Sequence, residues 1–196
     1  MKKIDDLLKG NKVQKNIEVC GWVKTFRGNR FISLNDGSCI ANLQCVIDFE
    51  NTESSLLKKI NTGASIKIIG DLIKSQGSGQ SLEIIVNEIS IIGESDPESY
   101  PIQPKKHSFE FLREKAHLRI RTTTFNAVMR IRSILSFAVH EFFQEKKFYY
   151  INTPIITGSD AEGAGEMFKV TTLNPKMSEE KNDNEKDFFG KKTHLT

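Results

Sequence analysis

IEVCGWVKTFRGNRFISLNDGSCIANLQCVID, residues 17–48, decides the reading of the fold. Apolar and β-branched residues alternate with polar ones at a period of two, the pattern of half-buried strands. IEVCGWVKTF (17–26) is the first strand, and its central Gly21 suits a bulge or a barrel corner. Arg27-Gly28-Asn29-Arg30 is a tight turn, Phe31 to Leu34 a second strand, and Asn35-Asp36-Gly37 has the composition of a favoured hairpin turn. SCIANLQCVID (38–48) alternates again as a third strand.

Upstream, Met1 to Lys15 reads as a short amphipathic helix with Ile4, Leu7 and Leu8 on one side and Gly10 ending it. Downstream, Asn51 to Ile60 changes period and predicts a short helix that Gly63 terminates. SIKIIGDLIKS (65–75) and SLEIIVNEISII (81–92) are two further strands, joined by a glycine- and serine-containing loop at 76–79. Three strands in a meander, a helix and two more strands is the layout of an OB fold, a small all-β Greek-key barrel whose strand face binds single-stranded nucleic acid or sugars. Such binding needs stacking rings and polar groups aimed at exposed bases. Phe31 at the start of the second strand, Gln44 in the third and Arg27 in the adjoining turn are the candidates. Pattern alone favours a blander reading, with Phe31 filling the barrel core and Gln44 facing solvent, and it assigns Trp22 to the core.

The chain has 196 residues, 38% hydrophobic and 27% charged, which fits folded protein and argues against disorder throughout. Its formal net charge of +3 is carried by a weakly basic front, and the end is acidic. That permits a nucleic-acid partner without demanding one. The cysteines, Cys20, Cys39 and Cys45, are odd in number and lack CxxC spacing, which argues against a disulfide framework; reduced thiols fit Cys20 and Cys45. MKKIDDLLKG has no apolar signal core, and no apolar run reaches membrane-spanning length, so a cytoplasmic protein with no membrane partner is expected. His107 and His117 have no carboxylate or cysteine neighbours at ligand spacing, and no metal site is expected.

Residues 93–121 read as a linker. Pro97, Pro101 and Pro104 forbid a single helix or central strand, and Arg113, Lys115, Arg119 and Arg121 give its later part a basic face. Phe125 to about Lys146 is then a long helix, apolar on more than one stripe, which calls for packing partners on two sides. KKFYYINTPIIT predicts a short strand stopped at Pro154. SDAEGAGEMF supports two readings. Ser159-x-x-Glu162 matches a helix capping box. Alternatively Glu162, among small residues in a loop, is a carboxylate placed to receive an amino group, because Gly163 and Gly165 would each weaken a following helix by about 1 kcal/mol.

FFQEKKFYYINTPIITGSDAEGAGEMFKV (142–170) resembles the first signature motif of class II aminoacyl-tRNA synthetases. FYYINTPIIT is shared with the aspartyl, asparaginyl and lysyl subgroup, and DAEGAGEMF points to the asparaginyl branch. HLRIRTTTF and FFGKKTHLT fit that branch, and GWV, FISLNDGS and LQCVI resemble its anticodon-binding OB domain. The resemblance covers nearly the whole chain. It implies an OB-fold anticodon domain over 1–92, a linker or hinge over 93–121, and over 122–196 the start of an α+β class II catalytic domain, an antiparallel sheet with a long interface helix. It further implies an ATP- and Mg²⁺-dependent asparagine–tRNA ligase acting in protein biosynthesis, with tRNA, asparagine and ATP as partners and a homodimer built on the first motif.

By that resemblance Phe31 stacks on an anticodon base, Gln44 reads the central anticodon uridine and Arg27 lies at the anticodon. Pro154 falls at the two-fold contact and Glu162 receives the ammonium group of the amino acid. No catalytic residue is carried, because the second and third motifs lie beyond this stretch, and the 196 residues alone are expected not to form an adenylate. A non-catalytic module binding tRNA or single strands, and an aspartyl-tRNA synthetase, are the alternatives. There are two departures. The family has glycine where Lys147 stands; lysine held left-handed there would cost about 1 kcal/mol, which allows a different helix end. MSEEKNDNEKD (177–187) is a charged insert expected to form a mobile surface loop.

Overall fold

The computed structural model of the chain describes residues 1–77, 79–159, 167–174 and 183–196. Strands β1 (Gln14–Arg27), β2 (Phe31–Asn35), β3 (Leu43–Val46), β4 (Ser65–Lys74) and β5 (Leu82–Gly93) close a barrel in the order β1-β2-β3-β5-β4. The predicted meander is formed, and β3 pairs with β5 in parallel, the one parallel pairing of the barrel. Alternate residues point inward: Val19 and Val23, Ile32 and Leu34, Leu43 and Cys45, Ile66 and Ile68, and Leu82 and Ile84 are all buried. Burial pushes the Cys45 thiol pKa up, as expected for an inert core thiol.

Helix α1 (Ile4–Gly10) buries Ile4 and Leu7 against this core. Lys3 at its start offers no capping side chain. The cap comes from the loop after β2: Asp36 Oδ2 accepts from Ile4 N at 2.9 Å and Ser38 Oγ accepts from Asp5 N at 2.9 Å. The 35–37 segment is therefore not the two-residue hairpin its composition suggested. Residues 36–42 form a longer loop whose side chains serve α1, and Asn35 Nδ2 ties it down through the carbonyls of Cys39 and Ala41. The two-residue turn is at Gly28 and Asn29, both with positive φ (57° and 49°), with Arg30 N donating to Arg27 O at 3.1 Å.

Burial opposes the charge of Asp36, but the Ser38 hydroxyl and the Ile4 and Ser38 N–H groups outweigh it and hold the carboxyl below its usual range. Its contribution is thus complete above the ordinary aspartate range and is lost as pH falls through the lowered native value. Asp36→Ala is expected to lower stability by about 1 kcal/mol at pH 7. Urea midpoints of wild type and variant should converge as the pH is taken down toward 3.

Three local expectations are corrected. The bulge in β1 falls between Val23 and Thr25, so Lys24 is the unpaired residue; Gly21 is instead required by close approach, since a Cβ there would lie 2.8 Å from Asn35 O. Trp22 is outside the barrel, 38% exposed, with the Arg121 guanidinium 4.8 Å from its ring centroid. The predicted 51–60 helix is only the turn α2 (Ser54–Leu57).

After the barrel, the linker holds α3 (Phe109–Glu114), capped by Ser108 Oγ on Phe111 N, and a 3-10 turn at Arg119–Arg121. Two compact units are delimited at residues 1–136 and 137–196. Helix α4 (Thr123–Glu145) is about 35 Å long at 1.5 Å per residue. None of its residues is buried, and Ile131, Ile134, Leu135 and Phe137 are among its exposed apolar side chains.

The helix ends in a Schellman arrangement. Lys147 is left-handed (φ 67°), its N–H donates to Gln144 O at 3.0 Å, and Phe148 N donates to Phe143 O at 3.0 Å. The Phe143 and Phe148 rings meet edge-on at 5.4 Å, the apolar contact that accompanies this cap. Lys147 therefore places a side chain at a left-handed position where glycine would be unstrained. Lys147→Gly is expected to gain about 1 kcal/mol in denaturant unfolding.

In the second unit β6 (Ile156–Thr157), β7 (Lys169–Val170) and β8 (Thr193–Leu195) form an antiparallel sheet with β8 central. The run FYYINT before Pro154 is not a strand; β6 begins after the proline, and no strand pairs with 148–153 among the described residues. Asp187, assigned by composition to the charged insert, is only 8% exposed. It accepts from Thr172 N at 2.9 Å, Thr172 Oγ1 at 2.8 Å and Phe188 N at 2.8 Å. The Thr171 hydroxyl and these donors hold its carboxyl well below the usual range. Asp187 is thus a buried clasp between residues 171–172 and 187–188, because three donors replace the water it loses.

Candidate nucleic-acid interface

Strand register puts the predicted residues on one face. Arg27 pairs with Phe31 and Phe31 with Val46, and Val46 pairs with Ile85 across the parallel ladder. Directly opposed residues share a face, so these four form one outward row. The adjacent row runs Thr25, Ser33, Gln44, Glu83 across the same four strands. Ile32, Leu34 and Cys45 between them point into the core, which is why Phe31 points out. Phe31 is 36% exposed, with the Arg30 guanidinium 5.5 Å from its ring centroid. The core-filling reading of Phe31 is overturned by this alternation.

Gln44 is not a free surface residue. Its Nε2 donates to Glu83 Oε2 at 3.1 Å. Glu83, 8% exposed, also accepts from Ser75 Oγ at 2.9 Å and Gln80 Nε2 at 3.2 Å. A carboxylate only accepts, so the Gln44 amide must present nitrogen to it, leaving the amide oxygen and one N–H for a ligand. One acceptor beside one donor matches the edge of a pyrimidine base. Glu83 therefore orients Gln44, a role sequence reading missed. The available signal was an acidic residue inside the apolar run LEIIV, but its connection to Gln44 depends on β3 lying beside β5.

Two family models match. The OB-fold nucleic acid binding domain covers residues 17–92, and tRNA synthetases class II (D, K and N) covers 108–180. The asparagine–tRNA ligase of Cytophaga hutchinsonii is 52% identical over 99% of this chain, and that of Porphyromonas gingivalis 50% identical over 99%. Over nearly its whole length the chain is similar to asparagine–tRNA ligases. It spans 44% and 43% of the length of those two relatives. Among solved structures, the Pyrococcus horikoshii asparaginyl-tRNA synthetase complexed with asparaginyl-adenylate aligns with a TM-score of 0.76 at 20% identity, over 100% of this chain and 42% of that one. The Entamoeba histolytica asparaginyl-tRNA synthetase aligns with a TM-score of 0.71 at 25% identity, over 93% and 40%. The all-β barrel followed by the start of a class II synthetase domain is thereby established as the fold.

The other expected site residues are not gathered with this face. Pro154 is exposed in the extended stretch before β6. Glu162 lies outside the described residues, as do Gly163 and Gly165, so the choice between capping box and ligand carboxylate rests on the family resemblance. Among the described residues there is no cluster of three or more His, Cys, Asp or Glu fit to hold a metal ion, and no helix is long and apolar enough to cross a membrane.

Proposed function

We propose that this chain carries the RNA-reading module and the first part of the catalytic domain of a cytoplasmic asparagine–tRNA ligase. In the whole enzyme the asparagine carboxylate attacks the α-phosphorus of ATP and pyrophosphate leaves. The terminal ribose hydroxyl of the tRNA then takes the asparaginyl group and AMP leaves. Residues 1–92 serve the anticodon, 93–121 connect, and 122–196 begin the catalytic domain. Phe31 stacks on an anticodon base, Gln44 reads the central uridine by a paired donor and acceptor, and Arg27 meets the neighbouring phosphate or base edge. Glu162 takes the ammonium of asparagine. ATP enters with Mg²⁺, and the described residues include no carboxylate cluster for that ion. The exposed apolar stripe of α4 and Pro154 form the homodimer contact, since an apolar helix of that length is not stable facing water on all sides.

The observation that carries this reading is the outward face on which Phe31, Gln44 and Arg27 meet, in a chain about half identical to asparagine–tRNA ligases. The test is filter binding of the purified chain to an asparagine tRNA transcript and to one with the central anticodon uridine replaced by cytidine. Equal affinity for the two would refute it.

A further inference from the structure

A second feature adjoins the reading face. A cleft of about 890 Å³ opens between β1–β2 of the barrel and the linker leading into α4. Thr25 and Ser33 line it, and these are the members of the Gln44 row nearest the linker, so the cleft begins one strand, about 5 Å, from Gln44. Four cationic side chains, Lys24, Lys105, Lys106 and Arg121, line it against one carboxylate, Asp36, and His107 and His117 join them. The Asp36 charge is already used, since both its oxygens accept from Ile4 and Ser38.

The cations divide into two groups. Lys24, released from the ladder by the β1 bulge, donates to the Arg121 carbonyl, and burial together with the Arg121 guanidinium lowers its pKa. Arg121 covers the Trp22 ring and donates to the Tyr100 hydroxyl at 3.3 Å. These residues hold the linker against the barrel. Lys105, Lys106 and His117 are exposed, and none of them forms an ion pair among the described residues. They remain for a ligand.

The available groups select its chemistry. The cleft's large rings are engaged, Trp22 by Arg121 and Tyr100 both by Arg121 and by packing on Gly63, where a Cβ would lie 2.7 Å from the ring. Arg121 already covers a face of Trp22, and the unpaired ammonium groups suit phosphate. The space is too large and open to be filled by a single small anion. We propose that this cleft grips the sugar-phosphate backbone of the RNA whose bases lie on the barrel face, through Lys105, Lys106 and His117. The inference rests on the barrel face being an RNA-reading surface.

The experiment compares the full 196-residue wild-type chain with K105A/K106A, two exposed changes that disturb no packing. Each is titrated with the whole asparagine tRNA transcript and with a heptanucleotide of its anticodon loop, over a salt series. With the transcript, the variant is expected to bind about tenfold more weakly at 0.1 M salt, and its log–log salt slope to fall by about 1.8, the value for two lost phosphate contacts. Heptanucleotide affinity should stay within about twofold, and the charge-matched control K12A/K58A should keep the wild-type slope. An unchanged slope with the transcript, equal losses on both probes, or the same loss in the control would overturn the proposal. If wild type binds neither RNA, the RNA-reading assignment itself fails and takes this inference with it.

Discussion

Phe31→Ala is expected to weaken binding of the asparagine tRNA transcript by about 1–3 kcal/mol, roughly 5- to 150-fold, while leaving the barrel folded. The ring lies outside the core in a strand whose inward residues, Ile32 and Leu34, are untouched, so little packing is lost. What disappears is the stacking surface, and with it the Arg30 contact that steadies the ring. Gln44→Ala should cost a similar amount with the central uridine transcript and much less with the cytidine one, so discrimination collapses along with affinity. Glu83→Ala is expected to follow Gln44→Ala, because an amide without its carboxylate partner can present either end to the base. Competition titration of both transcripts against each variant measures this; a Phe31→Ala affinity equal to wild type would remove the stacking role.

Gly70→Ala is expected to cost at least about 3 kcal/mol, a large fraction of the stability of a small barrel. Gly70 stands at the register shift of the β4–β5 ladder, where a Cβ would lie 2.2 Å from the Ile85 carbonyl oxygen and 2.7 Å from an Ile84 methyl. Backbone on one side and a buried side chain on the other leave nothing to give way, so the ladder must open. That ladder also positions Glu83 and hence Gln44, so RNA binding should fall with the folded fraction. Gly10→Ala is the contrast: nothing lies within 4 Å of a Cβ there, and the change should be neutral or stabilising by about 0.5–1 kcal/mol. Urea unfolding of both variants tests the pair; equal midpoints would contradict the steric argument.

Local pattern specifies the succession of strands along the chain, the helix between the third and fourth strands, the long apolar α4 and the likeness to asparagine–tRNA ligases. Each is written in local periodicity or in a contiguous motif such as FYYINTPIIT, and local patterns survive being read one segment at a time. Lys147 shows how far this extends: a lysine holds a left-handed helix end that glycine would take without strain, with Phe148 on Phe143 beside it.

Tertiary structure alone decided which polar residues act together. Glu83 reaches Gln44 only because β3 lies parallel to β5, a pairing across 39 residues that no local period records. Asp36 and Ser38 have the composition of a turn but serve as the cap of a helix more than 30 residues earlier. Trp22, apolar enough for the core, is turned outward by strand alternation and covered by Arg121 from the linker. In each case the energy comes from giving a donor, acceptor or ring a partner distant in sequence, which only the folded chain brings near.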